Sequence, residues 1–332
     1  MYYVIKNLNT QWLKKLNALL LVLLFSPCQK ICAQVLPPFF NDALVSNNWN
    51  QPLGIAFDKN KKLYVWEKAG YVWIVDTNGN KAATPLLDLH EEVGNWVDHG
   101  LNSFALHPNF LNNGYIYCFY TVDRHYLLNY GTPAYKSNKN EYGSATIARV
   151  VRFTVDMAAG GNTIVPNSKL ILIGADKKNG IVITHTSHSG GTLLFGADTS
   201  LLISTGDGAS FNGIDSGSSV NSFAYQALQD TMLTTANNVG AFKAQMLSSY
   251  NGKVLRIDPI TGLGLSSNPY FETLNPNSVK SKIWCTGLRN PFRMAIKPNS
   301  GSNDITAGDP GVLFIGDVGW FNYEERNISK IG

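Results

Sequence analysis

Cysteine is scarce in this chain. The 332 residues include four cysteines, and two of them, Cys28 and Cys32, lie in the N-terminal segment. Only Cys118 and Cys285 remain for the rest of the chain. Two cysteines in about 300 residues cannot form the dense disulfide framework of small secreted domains. Both lie in apolar, strand-like runs, where a single disulfide and two buried thiols are equally consistent with the pattern.

The chain also has little net charge once its N-terminal segment is set aside. The formal net charge is +4, and residues 1–33 contain four lysines and no acidic residue. Subtracting these four positive charges leaves a net charge of zero for residues 34–332. A neutral body gives no electrostatic reason to bind nucleic acid or an anionic membrane, so we expect neither as a partner.

Sustained helical periodicity is almost absent as well. The best helical stretch, around residues 222–246, is weak, and strand-like runs dominate the remainder. A chain of this length can bury a large core, and an all-β chain of this length can form one domain. The sequence therefore predicts a single all-β domain over residues 34–332.

The first 33 residues have the features of a secretory signal peptide. Two lysines precede the apolar run 16–25, and Ala33 offers a small residue for cleavage before Gln34. The run is too short to span a bilayer comfortably. We therefore expect a signal peptide at residues 1–33, a secreted or periplasmic protein, and no membrane span in the mature chain. An uncleaved anchor and a lipoprotein signal ending at Cys28 are the alternatives.

A strand–turn–strand unit recurs along the chain. Each copy has an apolar run, a polar turn and a second apolar run, and copies begin near residues 53, 103, 193 and 294. Their irregular spacing argues against a solenoid, whereas short strands in recurring units with long loops are typical of a β-propeller. These copies predict about four blades. A β-sandwich is the alternative, but it gives no reason for the recurring unit.

His188 and Asp207 flank two of these predicted strands. His188 precedes the apolar run 192–195, and Asp207 follows the run 201–205. An antiparallel return brings the end of the second strand beside the start of the first, so the two side chains should be neighbours. A histidine beside a carboxylate can serve as a proton acceptor. The alternative is a structural histidine whose ring only forms a hydrogen bond within a turn.

Three further segments carry polar groups suited to chemistry. Asp98 lies in a loop just before the second repeat. Arg289 presents a planar guanidinium that suits a carboxylate or quinone oxygen, and Pro291 holds Asn290 extended. The segment 316–325 combines glycine carbonyls with carboxylates, which are ligands that hard cations prefer. The alternatives are an arginine that braces two blades and a turn followed by a solvated acidic pair.

Taken in order, these motifs resemble those of the soluble quinoprotein sugar dehydrogenases, the glucose/sorbosone dehydrogenase family. The resemblance runs from about residue 53 to residue 332. It rests on the segments 100–108, 188–191, 206–207, 251–257, 287–291 and 316–319. That family uses pyrroloquinoline quinone (PQQ) on a six-bladed propeller, so the resemblance implies this fold, PQQ and calcium.

The resemblance also implies a role for each matching residue near the quinone. His188 would take the proton from the anomeric hydroxyl of a sugar while a hydride passes to PQQ, and Asp207 would orient it. Contacts to the cofactor are implied for Arg289 and Asn290. Asp98 is a further candidate, although it stands where some members place a glutamine.

The implied calcium site lies close to the end of the chain. Gly319 and Trp320 fall where the family offers backbone carbonyls to calcium. The carboxylates of Glu324 and Glu325 follow directly and complete the candidate set. The metal would polarise the quinone as a Lewis acid.

The implied activity is that of a secreted enzyme that oxidises aldose sugars and passes electrons to an external acceptor. The chain ends at Gly332, where members of the family continue into further blades, so we expect a propeller that is truncated at its C-terminus. The family also includes extracellular propellers that bind proteins. A non-catalytic propeller that binds a protein or glycan, of the Hedgehog-interacting-protein type, is therefore the alternative.

Overall fold

The computed structural model describes residues 37–218, 222–320 and 323–330. The expected signal peptide at residues 1–33 lies outside the described residues. The chain divides into two units, residues 1–45 and residues 46–332. The described part of the first unit contains one turn and neither helix nor strand. In the described ranges, no helix combines the length and the apolar character needed to cross a membrane.

The second unit contains four antiparallel sheets in the described residues, arranged as blades of a propeller. Blade 1 consists of β1 (Pro52–Phe57), β2 (Leu63–Glu67), β3 (Tyr71–Val75) and β4 (Leu87–Asp88). Blade 2 consists of β5 (Leu101–Leu106), β6 (Tyr115–Thr121), β7 (Thr146–Thr154), β8 (Leu170–Ile173) and β9 (Ile181–Ile183). Blade 3 consists of β10 (Leu193–Phe195), β11 (Leu201–Thr205), β12 (Lys253–Ile257) and β13 (Ile283–Thr286). Blade 4 consists of β14 (Pro291–Ile296), β15 (Leu313–Asp317) and β16 (Glu325–Ser329).

These sheets confirm the all-β propeller that the repeats predicted, with four blades in the described part of the chain. The helices are short: α1 (Phe110–Asn113), α2 (Arg124–Asn129) and α3 (Ala224–Gln229). Single 3₁₀ segments occur at Thr235–Asn237, Gly240–Gln245, Lys280–Lys282 and Ile305–Ala307. The weak helical signal around residues 222–246 therefore corresponds to one short α-helix and two 3₁₀ segments. Their residues lie in the long connection between β11 and β12.

The core lies between neighbouring blades. In β6, Ile116 and Cys118 pack toward blade 1, whereas Tyr117 and Phe119 pack toward blade 3. Alternate side chains of a strand point to opposite faces, so a strand between two blades must be apolar on both. This requirement explains why the strands read as nearly continuous apolar runs rather than as strict alternations.

Polar side chains link strands of successive blades. The backbone N–H of Leu193 donates to Ser103 Oγ (2.9 Å), which joins blade 3 to blade 2. The hydroxyl of Ser204 donates to the Pro291 carbonyl (2.7 Å), which joins blade 3 to blade 4. The loops that precede β5, β10 and β14 are consequently held at one end of the blades, where the candidate site lies.

The two cysteines of this unit are free thiols. Cys118 is buried between blades 1 and 2, and Cys285 lies half-buried in β13. Of the two arrangements that the sequence left open, the structure has buried thiols rather than a disulfide. Burial raises the pKa of Cys285 to about 11, so its thiol stays protonated at neutral pH.

Replacing Phe119 with alanine tests the packing between blades 2 and 3. The side chain is fully buried, so Phe119→Ala should lower the free energy of unfolding by about 3–5 kcal/mol. Phe57→Ala is a matched control, since Phe57 is 60% exposed and should change the same quantity by only about 0.5 kcal/mol. Denaturant titrations of both variants measure the difference, and equal effects would contradict the proposed core.

Candidate functional site

His188 and Asp207 form a buried pair at one end of the blades. The distance from His188 Nδ1 to Asp207 Oδ1 is 2.8 Å, and both side chains are almost fully buried. An ionised carboxylate only accepts hydrogen bonds, so Nδ1 carries a hydrogen, and in the neutral ring Nε2 keeps its lone pair. The same carboxylate oxygen also accepts the backbone N–H of Ala209 (2.8 Å). The imidazole is thereby fixed in orientation and in tautomer.

The register of blade 3 brings this pair together. Leu193 of β10 lies opposite Ile203 of β11, so the residues just before β10 lie beside those just after β11. The sequence predicted this contact from the two apolar runs. The approach is close, because a Cβ on Gly206 would lie 2.0 Å from the His188 carbonyl oxygen. His188 itself has φ of +57°, an uncommon conformation for a residue with a side chain.

Asp317, at the end of β15, positions the segment that carries Arg289 and Asn290. Its carboxylate accepts the backbone N–H groups of Arg289 (2.9 Å) and Asn290 (2.6 Å). Burial raises the pKa of this carboxyl, although the two backbone donors act in the opposite direction. The Asn290 side-chain oxygen in turn accepts the backbone N–H of Gly190 (3.1 Å). Blade 4 is thus tied to the loop that presents His188.

The Arg289 guanidinium binds backbone carbonyls in the segment predicted to hold calcium. Its Nη1 donates to the carbonyls of Val318 (2.9 Å) and Gly319 (3.0 Å). A cationic guanidinium on the Gly319 oxygen competes with a metal ion for that ligand. In the described ranges, no group of three or more acidic, histidine or cysteine side chains could hold a metal ion. The Gly319 carbonyl, a predicted calcium ligand, is thus hydrogen-bonded to Arg289 in this structure.

The other predicted calcium ligands make different contacts. The Glu324 carboxylate accepts the backbone N–H of Gly319 (2.9 Å). Glu325 begins β16, opposite Asp317 in the register of blade 4. Trp320 lines a cavity together with His188. A calcium role for these residues stays a prediction.

Asp98 lies beside the His188 loop but does not line the same cavity. Its carbonyl accepts the hydroxyl of Ser189 (3.1 Å), and its backbone N–H donates to the Thr186 carbonyl (3.3 Å). The carboxylate is close enough to His188 to interact with it electrostatically. A contact from Asp98 to a cofactor also stays a prediction.

The His188–Asp207 pair opens onto a cavity of about 300 Å³. This volume is at the lower end of the range for small-molecule sites. Arg289 and Trp320 line one side of it. The opposite wall comes from the long β11–β12 connection and includes Ile214, Asp215, Phe242 and Gln245.

Two buried charged residues of the β11–β12 connection, of which only Asp215 lines the cavity, were not found by sequence reasoning. Asp215 is buried and its carboxylate accepts the backbone N–H groups of Ser210 and Gly217 (both 2.9 Å). Lys243 is also buried, and burial lowers the pKa of its ammonium, while Asp207 and Asp215 act in the opposite direction. Both residues belong to a Ser-, Asn- and Ala-rich insertion without a motif, so no sequence signal marked them.

A second histidine is buried beneath the site. His99 is 4% exposed, and its Nε2 lies 3.0 Å from the His185 carbonyl oxygen, to which it donates. Burial lowers the pKa of His99 to about 4, so the ring stays neutral well below its ordinary range. Burial likewise lowers the pKa of His185, and a nearby His188 adds to this effect. Protonation of these rings therefore opposes the folded state.

His99 should make the protein less stable in weak acid. The unfolded chain takes up a proton below pH 6.5, whereas folded His99 takes it up only near pH 4, so stability falls as the pH drops between these values. His99→Gln should remove up to about 3 kcal/mol of this loss of stability. His90→Gln, which changes an exposed histidine, should leave the loss unchanged. Denaturant titrations between pH 7 and pH 4 measure the slopes, and an unchanged slope in His99→Gln would refute the assignment.

Comparison with known proteins relates the chain to sugar dehydrogenases and to one class of binding protein. It is 27% identical over 264 residues to the Hedgehog-interacting protein of Homo sapiens, covering 76% of this chain and 31% of that protein. It is 26% identical over 271 residues to the quinoprotein glucose dehydrogenase B of Acinetobacter calcoaceticus, covering 78% and 46% respectively. The chain thus spans about a third to a half of the length of these relatives.

A solved structure and a family model agree with this relationship. The PQQ-bound aldose sugar dehydrogenase of Streptomyces coelicolor has the same fold, with a TM-score of 0.56 and 21% identity, covering 87% of this chain and 62% of that chain. The family model described as Glucose / Sorbosone dehydrogenase matches residues 49–303. This match includes 255 of the 332 residues. The chain therefore belongs to the glucose/sorbosone dehydrogenase family.

Proposed function

We propose that this protein is a secreted quinoprotein sugar dehydrogenase that oxidises the anomeric or primary hydroxyl of an aldose. The observation that carries the proposal is the buried His188–Asp207 pair, which faces a cavity that Arg289 also lines. Membership of the family and the PQQ bound in the Streptomyces coelicolor relative support the choice of cofactor. An external electron acceptor would reoxidise the reduced cofactor.

In this proposal His188 is the general base. Its Nε2 accepts the proton of the sugar hydroxyl, because Nδ1 is already committed to Asp207. Asp207 keeps the tautomer and stabilises the imidazolium that forms. The surrounding residues exclude bulk water, since both side chains are almost fully buried. The proton is therefore transferred at one defined atom.

In this proposal the quinone edge of PQQ occupies the cavity. Arg289 would hold a quinone oxygen with its guanidinium, which is suited to planar anionic groups. PQQ, when bound, supplies the two-electron oxidant that takes the hydride from the sugar carbon. The carbonyl contacts of Arg289 hold its guanidinium at the cavity edge. No step of this mechanism depends on calcium.

A binding propeller is the second candidate function. It is supported by the similarity to the Hedgehog-interacting protein and by the guanidinium that binds the Gly319 carbonyl, where the family resemblance implies calcium. On this proposal the exposed loops around the cavity would contact an extracellular protein or glycan. Binding of quinone to the wild-type protein distinguishes the two candidates, since only the first requires it.

Replacing the base should abolish most of the turnover. General-base assistance contributes about 100- to 10,000-fold to a rate, so His188→Gln should lower turnover by about this factor in full-length, quinone-loaded protein. Quinone binding, measured by absorbance, should stay near the wild-type value. Sugar-dependent dye reduction measures turnover, and an unchanged rate would show that His188 is not the base.

Arg289→Ala provides the contrasting variant. It removes a charged contact to the quinone, so both quinone retention and dye reduction should decrease. Equal quinone binding by wild type and Arg289→Ala would contradict the cofactor role of Arg289. If the wild type binds no quinone at all, the binding propeller becomes the better proposal.

Export should be visible at the N-terminus of the mature protein. The lysine pair, the apolar run 16–25 and Ala33 predict cleavage before Gln34. N-terminal sequencing of protein recovered outside the cytoplasm should therefore begin near Gln34. Recovery of a chain that still carries Met1 would contradict the proposed signal peptide.

A further inference from the structure

The segment Asn251-Gly252-Lys253, which we call the NGK corner, connects the long β11–β12 loop to β12. It belongs to a sequence motif that the proposed chemistry does not use. All three residues are buried. Lys253 is 0% exposed, and its position at the start of β12 places it opposite Thr205 at the end of β11. Asp207 follows two residues later.

The Lys253 ammonium binds three backbone carbonyls. Its Nζ donates to Lys243 (3.0 Å), Ala244 (2.8 Å) and Asn251 (2.7 Å), which uses all three of its hydrogens. Two of these carbonyls belong to the 3₁₀ segment Gly240–Gln245. In the described part of the chain, no carboxylate forms an ion pair with this ammonium. Its partners are therefore backbone groups of a loop.

The same 3₁₀ segment forms one wall of the candidate cavity. Its residues Ala241, Phe242, Ala244 and Gln245 line the cavity. The Ala244 carbonyl also accepts the backbone N–H of Gly287 (2.9 Å), in the segment that leads to Arg289. The Ala241 N–H donates to the Asp215 carbonyl (2.8 Å). The position of this wall thus affects both sides of the cavity.

The other two residues of the NGK corner contact the segments that carry Asp207 and Arg289. Asn251 Nδ2 and the Gly252 N–H both donate to the Gly206 carbonyl (3.2 and 3.0 Å). The Gly252 carbonyl accepts the backbone N–H of Leu288 (3.1 Å). Gly252 has φ of +66°, and a Cβ there would lie 2.5 Å from both the Ala244 Cβ and the Leu288 carbonyl oxygen. Only glycine is compatible with this positive φ and this close approach.

We propose that Lys253 is a positioning residue that clamps the cavity wall Gly240–Gln245 to the strand end that carries Asp207, and so sets the fit of the ligand bound there. This proposal rests on the proposed function, which makes the cavity a site for quinone and sugar. Lys253 does not contact the His188–Asp207 pair directly. Its loss should therefore affect ligand binding far more than proton transfer.

The energetics of the site agree with this role. Burial lowers the pKa of Lys253 to about 7, which means that the charged form is unfavourable in this environment. A buried charge of this kind is a poor source of stability compared with an apolar side chain of similar size. Its contribution lies in holding three carbonyls that a methionine could not bind.

Lys253→Met and Lys282→Met form a matched pair of variants. Lys282 is also buried, and its Nζ donates to Asn277 Oδ1 (2.8 Å), away from the cavity lining. Burial lowers its pKa to about 8. Each variant removes one buried ammonium, so a difference between them reports the position of the charge rather than its loss. If Lys253→Met does not fold, Lys253→Gln replaces it.

The first measurement is hydrogen exchange in the full-length protein without ligand. The amides of Ala241 and Gly287, which bond to the Asp215 and Ala244 carbonyls, should exchange about tenfold faster in Lys253→Met. They should exchange at the wild-type rate in Lys282→Met. Equal amide exchange rates in the two variants would contradict the clamping role of Lys253, whether or not the protein is an enzyme.

The second measurement uses PQQ and glucose as probes. Lys253→Met should raise the Kd for PQQ about tenfold, and kcat of the fully loaded protein should change by less than about twofold. Lys282→Met should leave both values unchanged. Faster exchange without weaker PQQ binding would overturn the positioning role. If the wild type binds no PQQ, the proposed function fails, and the exchange rates alone decide the clamp.

Discussion

The packing of each blade against its neighbours is the constraint on which the site depends. Strands such as β6 and β11 are buried on both faces, so they cannot rotate or slide without exposing apolar surface to water. Residues that immediately precede or follow these strands are therefore also held in fixed positions. The packing of these strands therefore brings His188 and Asp207 together.

Hydrogen bonds between neighbouring blades then fix the positions of the segments that carry the site residues. Asp317 holds the backbone of Arg289 and Asn290, and Asn290 holds Gly190 in the next blade. In the NGK corner, Asn251 donates to the Val182 carbonyl of blade 2, and the Lys253 ammonium binds backbone carbonyls of the β11–β12 connection. Asp317, Asn290 and the NGK corner are buried, so their polar groups would be destabilising without their partners. The site is thus a set of mutually satisfied polar groups between apolar blades.

The sequence predicted the fold and the histidine–aspartate contact because both follow from local pattern. Recurring apolar runs identify the strands, and an antiparallel register places residues before and after a hairpin side by side. The match of the family model agrees with the resemblance that these motifs indicated.

The remaining parts of the site depend on long-range contacts that no local pattern encodes. The direction of the Arg289 guanidinium is set by carbonyls about 30 residues away, and the positions of Asp215 and Lys243 are set by a long insertion. A further consequence follows from the fixed tautomer of His188. Nδ1 is turned toward a buried carboxylate, so Nε2 is the ring nitrogen left to contact a ligand. On the proposed function, the proton that Nε2 accepts would be released toward the cavity, and a bound ligand would slow that release.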